Sequence, residues 1–257
     1  MAKKQSKKID VPTESIEILA GYKDKEDNVH TTLEIREITG ADEEAIAKAD
    51  IRTNVGKVVT TLLTGCVTRV GSLERDSLSP SKWEAIFREM YLGDRDFILL
   101  KISEVTNGPE MSFNSRCPSC RKELTIEFNI DELVVEPLKG DPESIPFELP
   151  RGFFDDSGDR IKNGIMRLPN GFDQEQLDPV ARKNPGTANT MLITRCVKEL
   201  GDIKLSSATF RALGSKDREY LVKTLAENSF GPKFTIDAIC DSCGNDFEAG
   251  VNPINFI

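Results

Sequence analysis

Histidine occurs once in the 257 residues, and tryptophan once. The single histidine, His30, sits in a stretch that reads as a surface strand, so general acid–base chemistry by imidazole has no convincing candidate. Also missing are a Gly-x-Ser-x-Gly elbow, a phosphate loop and a dinucleotide fingerprint. Acidic residues are plentiful but scattered over the faces of expected helices, and no catalytic constellation forms. An enzyme is the least supported class, and no small-molecule substrate is expected. No apolar run approaches the roughly 18–20 residues of a membrane span, and no signal-peptide core follows the first residues. Positive charge is also short, the formal net charge being −9. Phosphate binding depends on Lys and Arg, which disfavours a nucleic-acid partner. Six cysteines without a secretion signal point to synthesis in a reducing cytoplasm, where paired cysteines are more often metal ligands than disulfides.

What the chain does have is two stretches that match without a gap. Asp94-Arg95 falls on Asp217-Arg218, Gly108-Pro109 on Gly231-Pro232, and Cys117/Cys120 on Cys240/Cys243. Upstream the match continues at an offset near 131. Arg36…Gly40-Ala-Asp42-Glu-Glu44 answers Arg167…Gly171-Phe-Asp173-Gln-Glu175, and Cys66-Val67 answers Cys196-Val197. The expectation is an internally duplicated α+β fold. Each copy would hold strands, helices and a Cys-x-x-Cys β-hairpin, in two lobes related by a pseudo-twofold.

Along the chain, residues 1–12 carry Lys3, Lys4, Lys7 and Lys8 and read as a disordered basic tail, with an arm for an acidic partner as the sharper alternative. The first lobe is placed at 13–130: two strands, a helix opened by Thr39-Gly-Ala-Asp42, a helix over 55–70, the stripe Trp83, Ile86, Phe87 and Met90, and a helix from Asp94. Residues alternating into and out of Cys117–Cys120 put those cysteines at a hairpin tip. Residues 131–160, acidic and punctuated by four prolines, read as a linker, and 161–257 as the second lobe.

One Cys-x-x-Cys is half of a tetrahedral zinc site, and two equivalent hairpin tips brought together would complete it. The favoured reading is one structural zinc per chain held by Cys117, Cys120, Cys240 and Cys243. Three others stay open: cysteines surviving from an ancestral site, redox-active pairs, and pairing with cysteines of another chain. Cys-Pro-Ser-Cys looks thioredoxin-like, but that chemistry needs the first cysteine at a helix N-terminus, and here a strand follows. Cys66 and Cys196 read as small buried core residues. The Asp-Arg pairs read equally well as interface charges or as a helix cap followed by a solvated arginine.

The ordered set of the Arg36…Thr39-Gly-Ala-Asp-Glu-Glu44 start, the Cys66-Val67 helix, the Gly93-Asp-Arg-Asp-Phe97 helix and the Cys-Pro-Ser-Cys hairpin resembles the T4-type baseplate protein family of contractile-tail phages and related injection systems. The resemblance covers about residue 30 to the C-terminus. The second copy departs from the pattern with Leu168-Pro-Asn-Gly-Phe-Asp173 and Cys240-Asp-Ser-Cys-Gly244. It implies a non-catalytic component or assembly factor of the baseplate or hub, whose partners are other baseplate and tail proteins and whose place is the virion tail. The rival class is a zinc-ribbon adaptor or regulator touching nucleic acid or another protein. Partner contacts are expected at the acidic stretch Asp141–Asp159 or the apolar end Pro253–Ile257.

Overall fold

The computed structural model describes residues 11–49, 54–154 and 157–251. The basic tail up to Asp10 and the end Pro253–Ile257 lie outside the described residues. Alternating residues form β1 (Thr13–Lys23) and β2 (Val29–Arg36). Then come α1 (Gly40–Lys48), α2 (Val55–Cys66), β3 (Val67–Val70) and β4 (Leu73–Glu74). The four strands make one antiparallel sheet in sequence order. Helices α3 (Pro80–Glu89) and α4 (Leu92–Asn107) follow, then the hairpin β5 (Glu110–Arg116) and β6 (Glu123–Asn129). Trp83, Ile86, Phe87 and Met90 bury one side of the α3 region, as their spacing predicts.

After β7 (Val135–Glu136) a similar order of elements follows, with no counterpart of β4. Strands β8 (Ile145–Phe154) and β9 (Arg160–Met166) precede α5 (Gly171–Ala181), α6 (Pro185–Cys196) and β10 (Val197–Leu200). Helices α7 (Ser207–Ala212) and α8 (Ser215–Glu227) follow, then β11 (Gly231–Pro232) and the hairpin β12 (Thr235–Ile239) and β13 (Asp246–Gly250). Strands β10, β9 and β8 form a three-stranded antiparallel sheet. The two helix starts are built alike. Arg36 holds the Asp42 carboxylate at 2.7 and 3.0 Å, and Arg167 holds that of Asp173 at 2.6 and 3.1 Å. Each carboxylate also accepts the N–H of the residue three before it, Thr39 or Asn170, which secures the first turn.

Several expectations need correction. The helix expected over 55–70 ends at Cys66. Val67 turns to φ −83°, ψ 133°, and Val67–Val70 pairs with β2, because β-branched residues fit an open sheet edge. The stretch 131–160 is not merely a linker, since it contains β8. Ile145, Phe147 and Leu149 face the second core and Pro146, Glu148 and Pro150 the other side, and β8 is the edge strand of its sheet, where a missing N–H is tolerated. His30 is buried, not on the surface, with Nε2 2.9 Å from Asp24.

The largest correction concerns the second lobe. One core gathers the first sheet, α2, α3 and α4, and both hairpins, including Ala249 and Val251. The other holds β8 to β10, α6, α7 and α8 as far as Phe230. The chain therefore leaves its own half after Phe230 and crosses the start of α4. There Gly231, at φ +99°, passes so close that a Cβ would stand 2.6 Å from the Gly93 carbonyl oxygen. Strand β11 then pairs with β7, and Lys233 reaches Glu136 at 2.6 Å. A strict twofold would seat one hairpin on each core; here both sit on the first.

Candidate metal centre

Both hairpin tips use the same six-residue turn. Cys117 N–H donates to Lys122 O at 2.9 Å and Arg121 N–H to Cys117 O at 2.9 Å; Cys240 and Gly244 repeat these bonds at 2.9 and 2.8 Å. Such a turn needs a left-handed residue just after the second cysteine. Gly244 takes φ 69° without penalty, whereas Arg121 takes φ 64° despite its Cβ. The turn folds each Cys-x-x-Cys so that its two sulfurs face the same way. Cys117 and Cys240 lie inward and Cys120 and Cys243 at the rim.

The crossing of β11 brings the two tips together. All four sulfurs of Cys117, Cys120, Cys240 and Cys243 lie within 4.8 Å of one another. The pairs Cys117–Cys243 and Cys120–Cys240 are 3.7 Å apart. That is too long for a disulfide bond of about 2.05 Å. Tetrahedral zinc with bonds of about 2.3 Å sets sulfur–sulfur spacings near 3.8 Å, so the cluster fits such an ion. The electrostatics agree. N–H groups of Cys120 and Ser119 aimed at Cys117 bring its thiol down to about 7. The Lys122 N–H favours the Cys120 thiolate, yet the neighbouring sulfurs of Cys243, Cys240 and Cys117 push Cys120 up to about 11. Four adjacent thiols cannot all ionise unless a cation offsets their repulsion. The group can therefore hold a metal ion, and four sulfurs would close a tetrahedral shell with no position left for substrate. Lys122 and Asp241 add a bridge of 3.2 Å at the exposed rim, which contributes little.

Cys66 and Cys196 stand far from this chemistry in character. Both are fully buried in the helical cores, and burial pushes both thiols up to about 12.

The Asp-Arg pairs belong to a second constellation that the sequence only hinted at. Neither arginine is a solvated cap neighbour. The Asp94 carboxylate, fully buried, accepts N–H bonds from Leu19, Ala20 and Gly21 at 2.8–3.0 Å, bracing the irregular part of β1. Asp217 accepts from Arg151 N–H at 2.8 Å in the corresponding irregular part of β8. Arg95 is buried and donates to Phe87 O, Gly56 O and Thr60 Oγ1. Burial lowers its pKa to about 10, still cationic at neutral pH. Around it α5 lies across the start of α2. Glu175 accepts from Thr60 Oγ1 at 2.6 Å and from Arg88 Nε at 2.9 and 3.0 Å, and Asp178 accepts the Gly56 N–H at 2.6 Å. This is the polar seam between the two cores. The repeated Asp-Arg was its signal; Glu175 gave none that separated it from a solvated helix face.

A family model described as T4 bacteriophage base plate protein matches residues 16–204, which includes Cys117 and Cys120 but stops short of Cys240 and Cys243. Neither the curated proteins nor the solved structures give a match.

Proposed function

The chain belongs to the T4 bacteriophage base plate protein family, and from that premise we propose that it is a structural or assembly component of the baseplate or hub of a contractile phage tail or related injection system, working without catalysis. The family match over residues 16–204 carries this reading. The four-sulfur cluster supports it, because a closed thiolate set suits a staple and not a reaction centre. The ion is zinc, one per chain, held by Cys117, Cys120, Cys240 and Cys243. Its task is to pin the C-terminal hairpin to the first half, so that one fixed surface is presented to partners. Those partners are other baseplate or tail proteins, and the working location is the tail baseplate of the particle. No described helix is long and apolar enough to cross a membrane.

The two halves descend from one duplicated unit, 13–130 and a counterpart that now starts at β8. The matched Arg36–Asp42 and Arg167–Asp173 pairs, and the matched Arg95 and Arg218 bonds to a helix start, support this. The placement of both hairpins on the first core limits any twofold between the halves to the helical parts. Deleting the gene tests the function. Particles with absent or malformed baseplates are expected, with normal heads and normal DNA replication. Normal tails, or a transcriptional defect before tail assembly, would favour the adaptor instead.

A further inference from the structure

The seam between the halves is head to tail. Its cleft is built on the first half and its filling helix, α5, on the second. The cleft consists of the side chains and N–H groups at the start of α2, with Arg88 and Arg95 behind them. Asn54 Nδ2 also donates to Glu175 O at 2.8 Å. The helix approaches closely, since a Cβ on Gly56 would stand 2.9 Å from both Gln174 Cγ and Glu175 N. A Cβ on Gly171 would stand 2.4 Å from Arg95.

The second half builds the same cleft. Asn184 caps α6 as Asn54 caps α2, each accepting the N–H three residues on. Arg218 donates to Gly186 O at 3.2 Å and Thr190 Oγ1 at 2.6 Å, as Arg95 does to Gly56 and Thr60. Phe210-Arg211 stands before Arg218 at the spacing that Phe87-Arg88 keeps before Arg95. No described helix lies across this cleft as α5 lies across the first. Asn184, Gly186 and Arg211 are exposed, and a Cβ on Gly186 would meet only Asn184 Oδ1, at 3.4 Å. At the other end of the chain no described helix covers the acidic first turn of the matching helix. Helix α1 carries Glu43 and Glu44 where α5 carries Gln174 and Glu175, both exposed. Gly40 stands where Gly171 stands, with nothing within 4 Å of a Cβ there.

We propose that a second copy of this chain lays its α1 across the α6 cleft, with its Glu44 carboxylate between Thr190 and Arg211. A head-to-tail contact leaves the cleft of one chain and the helix of the other unused, so it extends into a ring or a filament according to the rotation it imposes. Charge complementarity selects the occupant: a cationic cleft meets an acidic first turn, in the geometry that already joins the two halves. Helix α1 lacks a counterpart of Asp178, Ala47 standing in its place. The contact between chains is therefore weaker than the one within the chain. The inference goes beyond the proposed function and rests on contacts within this chain.

Sedimentation velocity on the full chain, loaded with zinc, across a wide concentration range tests it. The unaltered chain should self-associate. Glu44→Arg and Arg211→Glu should each weaken association by about tenfold or more, as loss of an interfacial charge pair does. Both positions are exposed, so far-ultraviolet circular dichroism of each variant should match that of the unaltered chain. Mixing the two variants should restore association, because the Arg211→Glu cleft then faces the Glu44→Arg helix. A chain that stays monomeric at every concentration overturns the proposal, as does association that neither substitution weakens or that mixing fails to restore.

Discussion

Removing the metal should detach the C-terminal hairpin while leaving both helical cores standing. The magnitude follows from the separation of the cysteine pairs. Cys120 and Cys240 are 120 residues apart. An unfolded chain that gathered both pairs around one ion would have to close that loop, at a cost of about 4.7 kcal/mol for loops of roughly 100 residues. The folded chain has already closed it. The folded state therefore binds the ion more tightly than the unfolded state by up to about 4.7 kcal/mol, and stability rises by that difference. For a domain of this size each kcal/mol moves the melting temperature by about 2–4 °C, so chelation should lower it by up to about 10–20 °C. Apart from the thiols the hairpin has a modest apolar contact: Ala249 and Val251 are buried, Ile236, Ala238 and Phe247 pack half-buried on the first core, and the Lys122–Asp241 bridge is exposed. Limited proteolysis after chelation should cut near β12 and β13 first. Elemental analysis should find about one zinc per chain for a four-thiolate site. A ratio near two, or a melting temperature indifferent to chelator, would refute the shared staple.

Thiol reactivity should sort the cysteines in the same way: four should react with an alkylating agent on chelation, whereas Cys66 and Cys196, pushed up to about 12, should react only on unfolding. The seam predicts a contrast between matched glycines. Gly56→Ala should cost about 1–3 kcal/mol, since its Cβ meets backbone at 2.9 Å, while Gly186→Ala should leave denaturant stability unchanged or raise it by up to about 1 kcal/mol. Glu175→Ala should cost about 1–3 kcal/mol by removing the carboxylate that Arg88 and Thr60 share across the seam, and a double-mutant cycle with Arg88→Ala should show coupling. Burial alone would push the Asp173 carboxyl up, but bonds from Arg167, Asn170 and Arg195 hold it below its ordinary value. A lowered folded pKa contributes stability that is present above the unfolded value near 3.9 and is lost as pH falls through the folded one. Acid titration of stability below about pH 4 should therefore be shallower in Asp173→Asn than in the unaltered chain.

The sequence by itself determined the local parts. Hydrophobic period set the helices and strands, Thr39 and Asn170 with an acid three residues on set two helix starts, and alternation around each Cys-x-x-Cys set two hairpins. These depend on neighbours a few residues away, so spacing alone reveals them. The four cysteines were legible for the same reason, as a pair of half-sites whose type of ligand dictates a partner. The end of α2 was not. Val67 to Val70 continue a helical pattern, and only the edge of β2 draws them into a strand. β8 was masked by prolines that would break a central strand but are tolerated in the edge strand that β8 turns out to be. The fate of Arg95 and Glu175 was invisible as well, since a charged residue on a helix reads as solvated until another helix covers it. Which core receives the last hairpin was decided at one crossing, where Gly231 passes over Gly93. That contact spans more than a hundred residues and involves no side chain on either glycine. No pattern of residue types records it, and only the packed chain shows that the two thiol pairs meet.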